Sequence, residues 1–184
     1  MTLDSLAEDI DEIIIDEEEL QQRIAELGKE ITESYPEDTE LRLICILRGA
    51  VMFMADLSQS INLPVTFDFM EVSSYAGTES SGTVRIIKDL EDDISDKHVL
   101  IVEDIIDTGL TLKNVMEMLK TRKPASLKVA TLLDKPERRD YKHVKVDFNG
   151  FEIPNKFVVG YGLDFAEKYR NLPFIGVLKE EKYS

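Results

Sequence analysis

The chain has 184 residues, 43% of them hydrophobic, with only nine glycines and six prolines; it is long enough for one domain with a real core and too apolar for wholesale disorder. Its 37 acidic side chains against 22 basic ones give a formal net charge of -15, which repels nucleic acid and anionic lipid at long range. An anionic small molecule would need local cations, backbone N–H groups or a divalent metal to bind such a surface.

In chain order, residues 16–34 read as a helix. Leu20, Ile24, Leu27 and Ile31 recur on one face, Asp16 is placed to cap the start with Glu19 in the capping-box position, and Pro36 limits extension. Glu17, Glu18 and Glu19 lie at the favourable end of the helix dipole, so this acidic run reads as a solvated helix start. Leu41–Leu47 is a short apolar strand ending at Gly49, and it carries the single cysteine, Cys45, which reads as a small buried residue. One cysteine allows no intrachain disulfide, which suits a reducing compartment.

Residues 50–61 read as a helix and 65–72 as a β-branched and aromatic strand. Residues 73–82, rich in serine and glycine, read as an exposed loop, with 83–87 as the returning strand of a long hairpin. The most strand-like run is 98–102, followed by a turn and a helix over Leu110–Lys120. Residues 127–133 form another strand, 135–150 read as polar and irregular, and 156–159 and 174–178 as late short strands. No run approaches the ~20 apolar residues of a membrane span, so we expect a soluble, cytoplasmic protein with no nucleic-acid or membrane partner. Strands alternating with helices predict an α/β fold with a mostly parallel sheet, and ligands in such sheets bind beyond the carboxyl ends of the strands.

One stretch carries more chemistry than any other. Val99, Leu100, Ile101 and Val102 are followed by the adjacent acids Glu103 and Asp104, then Ile105, Ile106, Asp107, Thr108, Gly109, Leu110 and Thr111. Gly109 has no Cβ, so backbone there can approach a phosphate closely. The free N–H groups of the first helical turn and the helix dipole favour an anion, and the two threonines add hydroxyl donors. Glu103 and Asp104 can accept from vicinal ribose hydroxyls or hold Mg²⁺. Two plainer readings remain: solvated acids at a strand end, and a phosphoacceptor receiver domain. In a receiver the acidic pair follows the first strand, whereas here it comes past the midpoint.

The order of these residues resembles the phosphoribosyl pyrophosphate signature of type I phosphoribosyltransferases. The resemblance extends over nearly the whole chain, to the hypoxanthine/guanine branch, through four further segments. Leu47, Arg48, Gly49 and Ala50 resemble the pyrophosphate loop, in which the peptide before the basic residue is often cis. Ser73, Ser74 and Tyr75 resemble the start of a flap that closes over the site. Lys135, just after a strand, resembles the family's contact to the purine 6-oxygen: an ammonium donates to a carbonyl but conflicts with the 6-amino group of adenine. Finally, Lys156, Phe157 and Val158 resemble the base-binding run, with Phe157 stacking on the purine and Val158 reading the base edge through its backbone. Asp164 then resembles the acid that holds a second Mg²⁺, and Arg170 the arginine that reaches pyrophosphate. The sequence departs from some relatives at Leu110, where they carry lysine, and at Gly162, where they carry alanine.

The resemblance implies a single type I phosphoribosyltransferase domain over residues 1–184. It would have a mostly parallel central sheet flanked by helices, a small hood from the N- and C-terminal segments, and a mobile loop at about 73–83. It further implies Mg²⁺ as cofactor, 6-oxopurine and phosphoribosyl pyrophosphate as substrates, and a homo-oligomer, dimer or tetramer. Asp107 would accept or hold the purine N7 proton while N9 attacks. The rivals are a phosphoribosyltransferase for another base and a regulator that keeps this fold to bind nucleic acid, which would need a basic face.

Overall fold

A computed structural model describes residues 3–74, 84–140 and 144–184. A short helix α1 (Leu3–Ala7) leads into β1 (Ile10–Ile15) and the long helix α2 (Glu17–Glu33). Then follow β2 (Leu41–Leu47), α3 (Val51–Ser60), β3 (Val65–Ser74), β4 (Val84–Lys88), β5 (His98–Ile106), α4 (Leu110–Lys120) and β6 (Ser126–Asp134). A 3-10 turn (Pro136–Arg138), β7 (Phe148–Glu152), β8 (Val158–Val159), β9 (Ile175–Leu178) and a second 3-10 turn (Glu180–Lys182) complete the chain.

The main sheet has six strands in the order β4-β3-β2-β5-β6-β7. All neighbours run parallel except the antiparallel pair β3–β4. A separate three-stranded antiparallel sheet, β1-β9-β8, joins the start and the end of the chain. The central strands of the main sheet are apolar on both faces because both are covered. Leu41, Leu43 and Cys45 of β2 pack with α2 and α3 on one side, while Ile44 and Ile46 pack with Leu112, Val115 and Leu119 of α4 on the other. No helix among the described residues is long and apolar enough to cross a membrane.

The chain leaves β2 toward β3 on one side and returns to β5 on the other. The switch point of the sheet therefore lies between β2 and β5, and the crevice beyond their carboxyl ends is the place a ligand would enter.

Several elements fall where the sequence puts them. Asp16 caps α2, its Oδ1 accepting from the Glu19 N–H at 2.9 Å, and β2 and α4 have the expected bounds. Four differences have physical causes. The strand expected over 98–102 runs on to Ile106, because Glu103, Ile105 and Ile106 find ladder partners in Thr131, Leu133 and Asp134 of β6. Ser73 and Ser74, expected in a loop, extend β3 by pairing with Arg85 and Val84. The supposedly irregular 135–150 contains the start of β7, whose Gly150 sits so close to the Leu132 carbonyl that a side chain there would collide with it. Strand β1, hidden in an acidic stretch, forms because β9 offers it an antiparallel edge. Tyr75 and most of the expected flap lie outside the described residues; Ser74 closes β3.

Candidate active site

Three parallel strands end side by side, and each delivers part of one cleft. Beyond β2, the Leu47–Arg48 peptide is cis, and Gly49 follows it. Within the last residues of β5 stand Glu103 and Asp104, and beyond Ile106 comes the turn into α4. At the end of β6 come Asp134 and Lys135. Neighbouring parallel strands in register bring these segments together without any long-range design in the loops.

The turn after β5 brings a glycine, two hydroxyls and a helix start together. Gly109 takes the N-cap position of α4 with φ of 87°, a left-handed conformation that favours glycine, and the first-turn amides of α4 have no acceptor within the helix. Glu103, Ile105, Ile106, Asp107, Thr108, Gly109, Thr111 and Leu112 line a cavity of about 110 Å³ here. The Leu110 N–H donates to Thr108 Oγ1 at 3.3 Å, which fixes the hydroxyl over the helix start. Leu110, in place of lysine, leaves this backbone intact.

Of the acid pair beside this turn, Glu103 is buried and Asp104 half-buried. Burial, followed by repulsion from Asp104, holds the Glu103 carboxyl well above the ordinary range. Burial raises Asp104 as well, opposed by the Ile105 N–H, which donates to its Oδ1 at 2.6 Å, and by Arg170. Asp104 also lies against the backbone of the β2 loop: a Cβ on Gly49 would fall on the Asp104 carboxylate, and one on Gly162 would fall on the Gly49 carbonyl. Glycine at these positions lets three segments meet at van der Waals distance.

Asp164 and Arg170 reach the same place from the turn after β8. Arg170 Nη1 lies 3.1 Å from Asp164 Oδ1 and donates to the Gly162 carbonyl at 2.8 Å. A residue the sequence did not flag, Glu167, joins the two arginines: its Oε2 is 3.1 Å from Arg48 Nη1 and 3.2 Å from Arg170 Nη2. Three of the four non-glycine residues 166, 167, 168 and 169 (Ala166, Glu167 and Tyr169) have positive φ, so this turn is held in a costly backbone conformation.

On the other flank, Asp107, Lys135, Arg138, Asn155, Lys156, Phe157 and Tyr183 line a cleft of about 410 Å³. Lys135 is buried, and burial pushes its ammonium below the ordinary lysine range, with Asp107 opposing. Its position is braced by the pair Asp134–Arg139, both largely buried, with contacts of 3.0 and 2.9 Å. Lys156 Nζ pairs with Glu12 Oε2 at 2.7 Å, and Val158 is buried in the small sheet opposite Val177. Two residues missed in the sequence act directly on this cleft. Arg138 Nε lies 2.8 Å from Asp107 Oδ1, and Tyr183 stacks on Phe157. Arg138 follows Lys135 by one 3-10 turn, a spacing that could have pointed to it; Tyr183 carries no such local signal.

The donors available to a metal are all carboxylate oxygens, which suit a hard cation. Among the described residues no group of three or more His, Cys, Asp or Glu is placed to hold an ion unaided. An acid pair whose charge is opposed by desolvation and by neighbouring carboxylates, with so few protein ligands, fits Mg²⁺, which keeps several waters and takes much of its shell from substrate oxygens.

The phosphoribosyl transferase domain model matches residues 12–166. The hypoxanthine-guanine phosphoribosyltransferase of Bacillus subtilis is 53% identical over 176 residues, covering 95% of this chain and 97% of that protein. The bifunctional protein TilS/HprT of Listeria monocytogenes is 50% identical over 98% of this chain, which spans 28% of that longer protein. Among solved structures, a hypoxanthine phosphoribosyltransferase from Staphylococcus aureus superposes with a TM-score of 0.94 at 48% identity, covering 100% of both chains. A sheet switch point furnished with a glycine turn at a helix start, an acid pair and a lysine-bearing cleft agrees with all of these likenesses, and the chain belongs to the phosphoribosyltransferase family, on its hypoxanthine-guanine branch.

Proposed function

We propose that this chain transfers the phosphoribosyl group of phosphoribosyl pyrophosphate to N9 of hypoxanthine, and of guanine, giving IMP or GMP and pyrophosphate. The observation that carries the reading is the convergence at one sheet edge of the Gly109 turn, the buried Glu103 with its neighbour Asp104, and the Lys135 cleft. These supply, in that order, sites for a 5′-phosphate, a ribose and a 6-oxopurine.

The amides of residues 108–111 with the Thr108 and Thr111 hydroxyls hold the phosphate at the positive end of α4. Glu103 and Asp104 accept from the ribose hydroxyls and place negative charge near a sugar that becomes cationic as its anomeric bond breaks. Arg48, the Gly49 backbone and Arg170 hold the departing pyrophosphate. Glu103 and Asp104 would hold Mg²⁺ and Asp164 a second ion, and bound metal would supply neutralisation of the pyrophosphate charge. Lys135 donates to the 6-oxygen, Phe157 stacks on the ring, and Lys156 and the Val158 backbone close the base edge. Asp107 accepts the N7 proton or holds that tautomer as N9 attacks; its main service is to stabilise charge developing in the transition state.

The small sheet β1-β9-β8 serves as the hood. The enzyme works in the cytoplasm as a homo-oligomer; the buried, single Cys45 suits that compartment. A panel of hypoxanthine, guanine, xanthine and adenine, assayed with phosphoribosyl pyrophosphate, tests the reading. Turnover of the 6-oxopurines with little of adenine is expected, and turnover of adenine alone contradicts it.

A further inference from the structure

The aromatic side chain at the mouth of the base cleft does not stand alone. Phe157 remains 39% exposed, yet two of its sides are taken. Tyr183 lies against one face with ring centroids 4.7 Å apart and planes at 22°, and Phe165 meets it edge-on at 5.7 Å and 87°. Rings stacked this closely leave no gap for a third between them, so a purine on Phe157 must use the face turned away from Tyr183.

Tyr183 is itself held from several directions. Its N–H donates to the Glu180 carbonyl at 3.1 Å, closing the turn Glu180–Lys182. Lys182 Nζ lies 2.8 Å from Asp9 Oδ1, and the other oxygen of Asp9 accepts from the Tyr169 hydroxyl at 2.8 Å. Lys179 pins the same turn, its N–H donating to the Asp9 carbonyl at 3.0 Å and its Nζ to the Glu8 carbonyl at 2.7 Å. The stretch between α1 and β1 thus clamps the turn that presents Tyr183 to Phe157.

We propose that Tyr183 is a positioning residue for the purine: it backs Phe157, so that the bound base becomes the outer layer of a three-ring stack whose inner layer is anchored through Lys182 to Asp9. The inference rests on the assignment of Phe157 as the base platform. Its physical content is that Tyr183 restricts the Phe157 ring to one orientation before the base arrives, so that binding need not pay for that ordering. Tyr183 touches no reacting atom, and its effect falls on the base alone, since the phosphate and pyrophosphate contacts lie on other segments.

The test is steady-state kinetics on the full chain with Tyr183→Ala, Tyr183→Leu and Tyr183→Phe, each checked for folding by thermal denaturation. Tyr183→Ala should raise KM for hypoxanthine roughly 2- to 10-fold, the range an aromatic pair supplies, while KM for phosphoribosyl pyrophosphate stays put and kcat changes less than twofold. Tyr183→Phe should restore the wild-type value, because the stack uses the ring and not the hydroxyl. Tyr183→Leu, which fills the space without a ring, should behave like alanine and serves if the alanine variant fails to fold. Asp9→Asn should move KM for the base in the same direction by less. An unchanged base KM in a folded Ala or Leu variant, or an equal rise for both substrates, overturns the proposal. Wild-type protein that turns over no 6-oxopurine overturns the functional reading itself, a result distinct from either.

Discussion

Replacing Lys135 by methionine tests the chemistry of base selection at one atom. The side chain is buried at the end of β6, in the cleft it shares with Asp107 and Phe157, and methionine nearly matches its length without the ammonium. A hydrogen bond from a charged donor to the 6-oxygen is worth about 1.5–3 kcal/mol. Its loss should lower kcat/KM for hypoxanthine and guanine about 10- to 150-fold, at 1.36 kcal/mol per decade. Adenine, whose 6-amino group conflicts with the ammonium in the wild type, should lose nothing or gain, so the preference for hypoxanthine over adenine narrows by at least about tenfold. The stability arm has the opposite sign. Burial depresses the Lys135 pKa, so the folded protein binds its proton less tightly than the unfolded chain does, and the folded state carries a cost at neutral pH. Methionine removes that cost, and Tm should not fall. Initial rates with the three bases at saturating phosphoribosyl pyrophosphate, with a melting curve on each protein, read both arms. A normally folded variant with an unaltered hypoxanthine-to-adenine ratio refutes the role of Lys135.

Asp107→Asn should lower kcat by about 10²- to 10⁴-fold, the usual worth of a positioned acid–base group, with far less effect on KM for phosphoribosyl pyrophosphate; equal activity removes Asp107 from the mechanism. In metal-free protein, Glu103→Gln should be more stable than wild type at pH 8 and no more stable at pH 5. The sign follows from burial and Asp104 raising the Glu103 pKa: the folded state holds a proton the unfolded chain releases, so stability present at low pH is lost as pH rises through the folded value. A Tm difference that does not grow between pH 5 and pH 8 contradicts this. Cys45 is fully buried and its thiol is pushed up to about 12 by burial, with Glu103 and Asp104 adding to the effect. Iodoacetamide at pH 8 should leave it unmodified in the native protein and alkylate it fully in denaturant, as mass spectrometry would show; rapid native labelling would place it outside the core.

The half of the candidate site written in contiguous residues is legible in the sequence as local structure. The stretch 103–111 needs a strand, a glycine and a helix start in that order, and local chemistry dictates all three. Arg48, Lys135, Phe157 and Arg170 had no such local signature; only resemblance singled them out, and the register of β2, β5 and β6 is what brings the first two beside the acids. Contacts across long sequence separations were invisible. Glu167 between the two arginines and Tyr183 on Phe157 depend on left-handed turns and on a small sheet that pairs residues 10–15 with 175–178. The same pairing hid β1, whose acidic surroundings masked a strand that forms only because β9 offers an edge. Glu103 was expected at the end of its strand and lies within it, and that is why it is buried and its charge so strongly opposed.

The central claim is that one cleft activates a ribose and delivers it to a purine nitrogen. Phosphorus and proton NMR of the purified protein with phosphoribosyl pyrophosphate, hypoxanthine and Mg²⁺ tests it most directly. The account predicts one IMP, joined at N9 with inverted anomeric configuration, for every pyrophosphate released, and neither product when a strong chelator is present. Pyrophosphate released without IMP, or IMP formed at full rate under chelation, would contradict it.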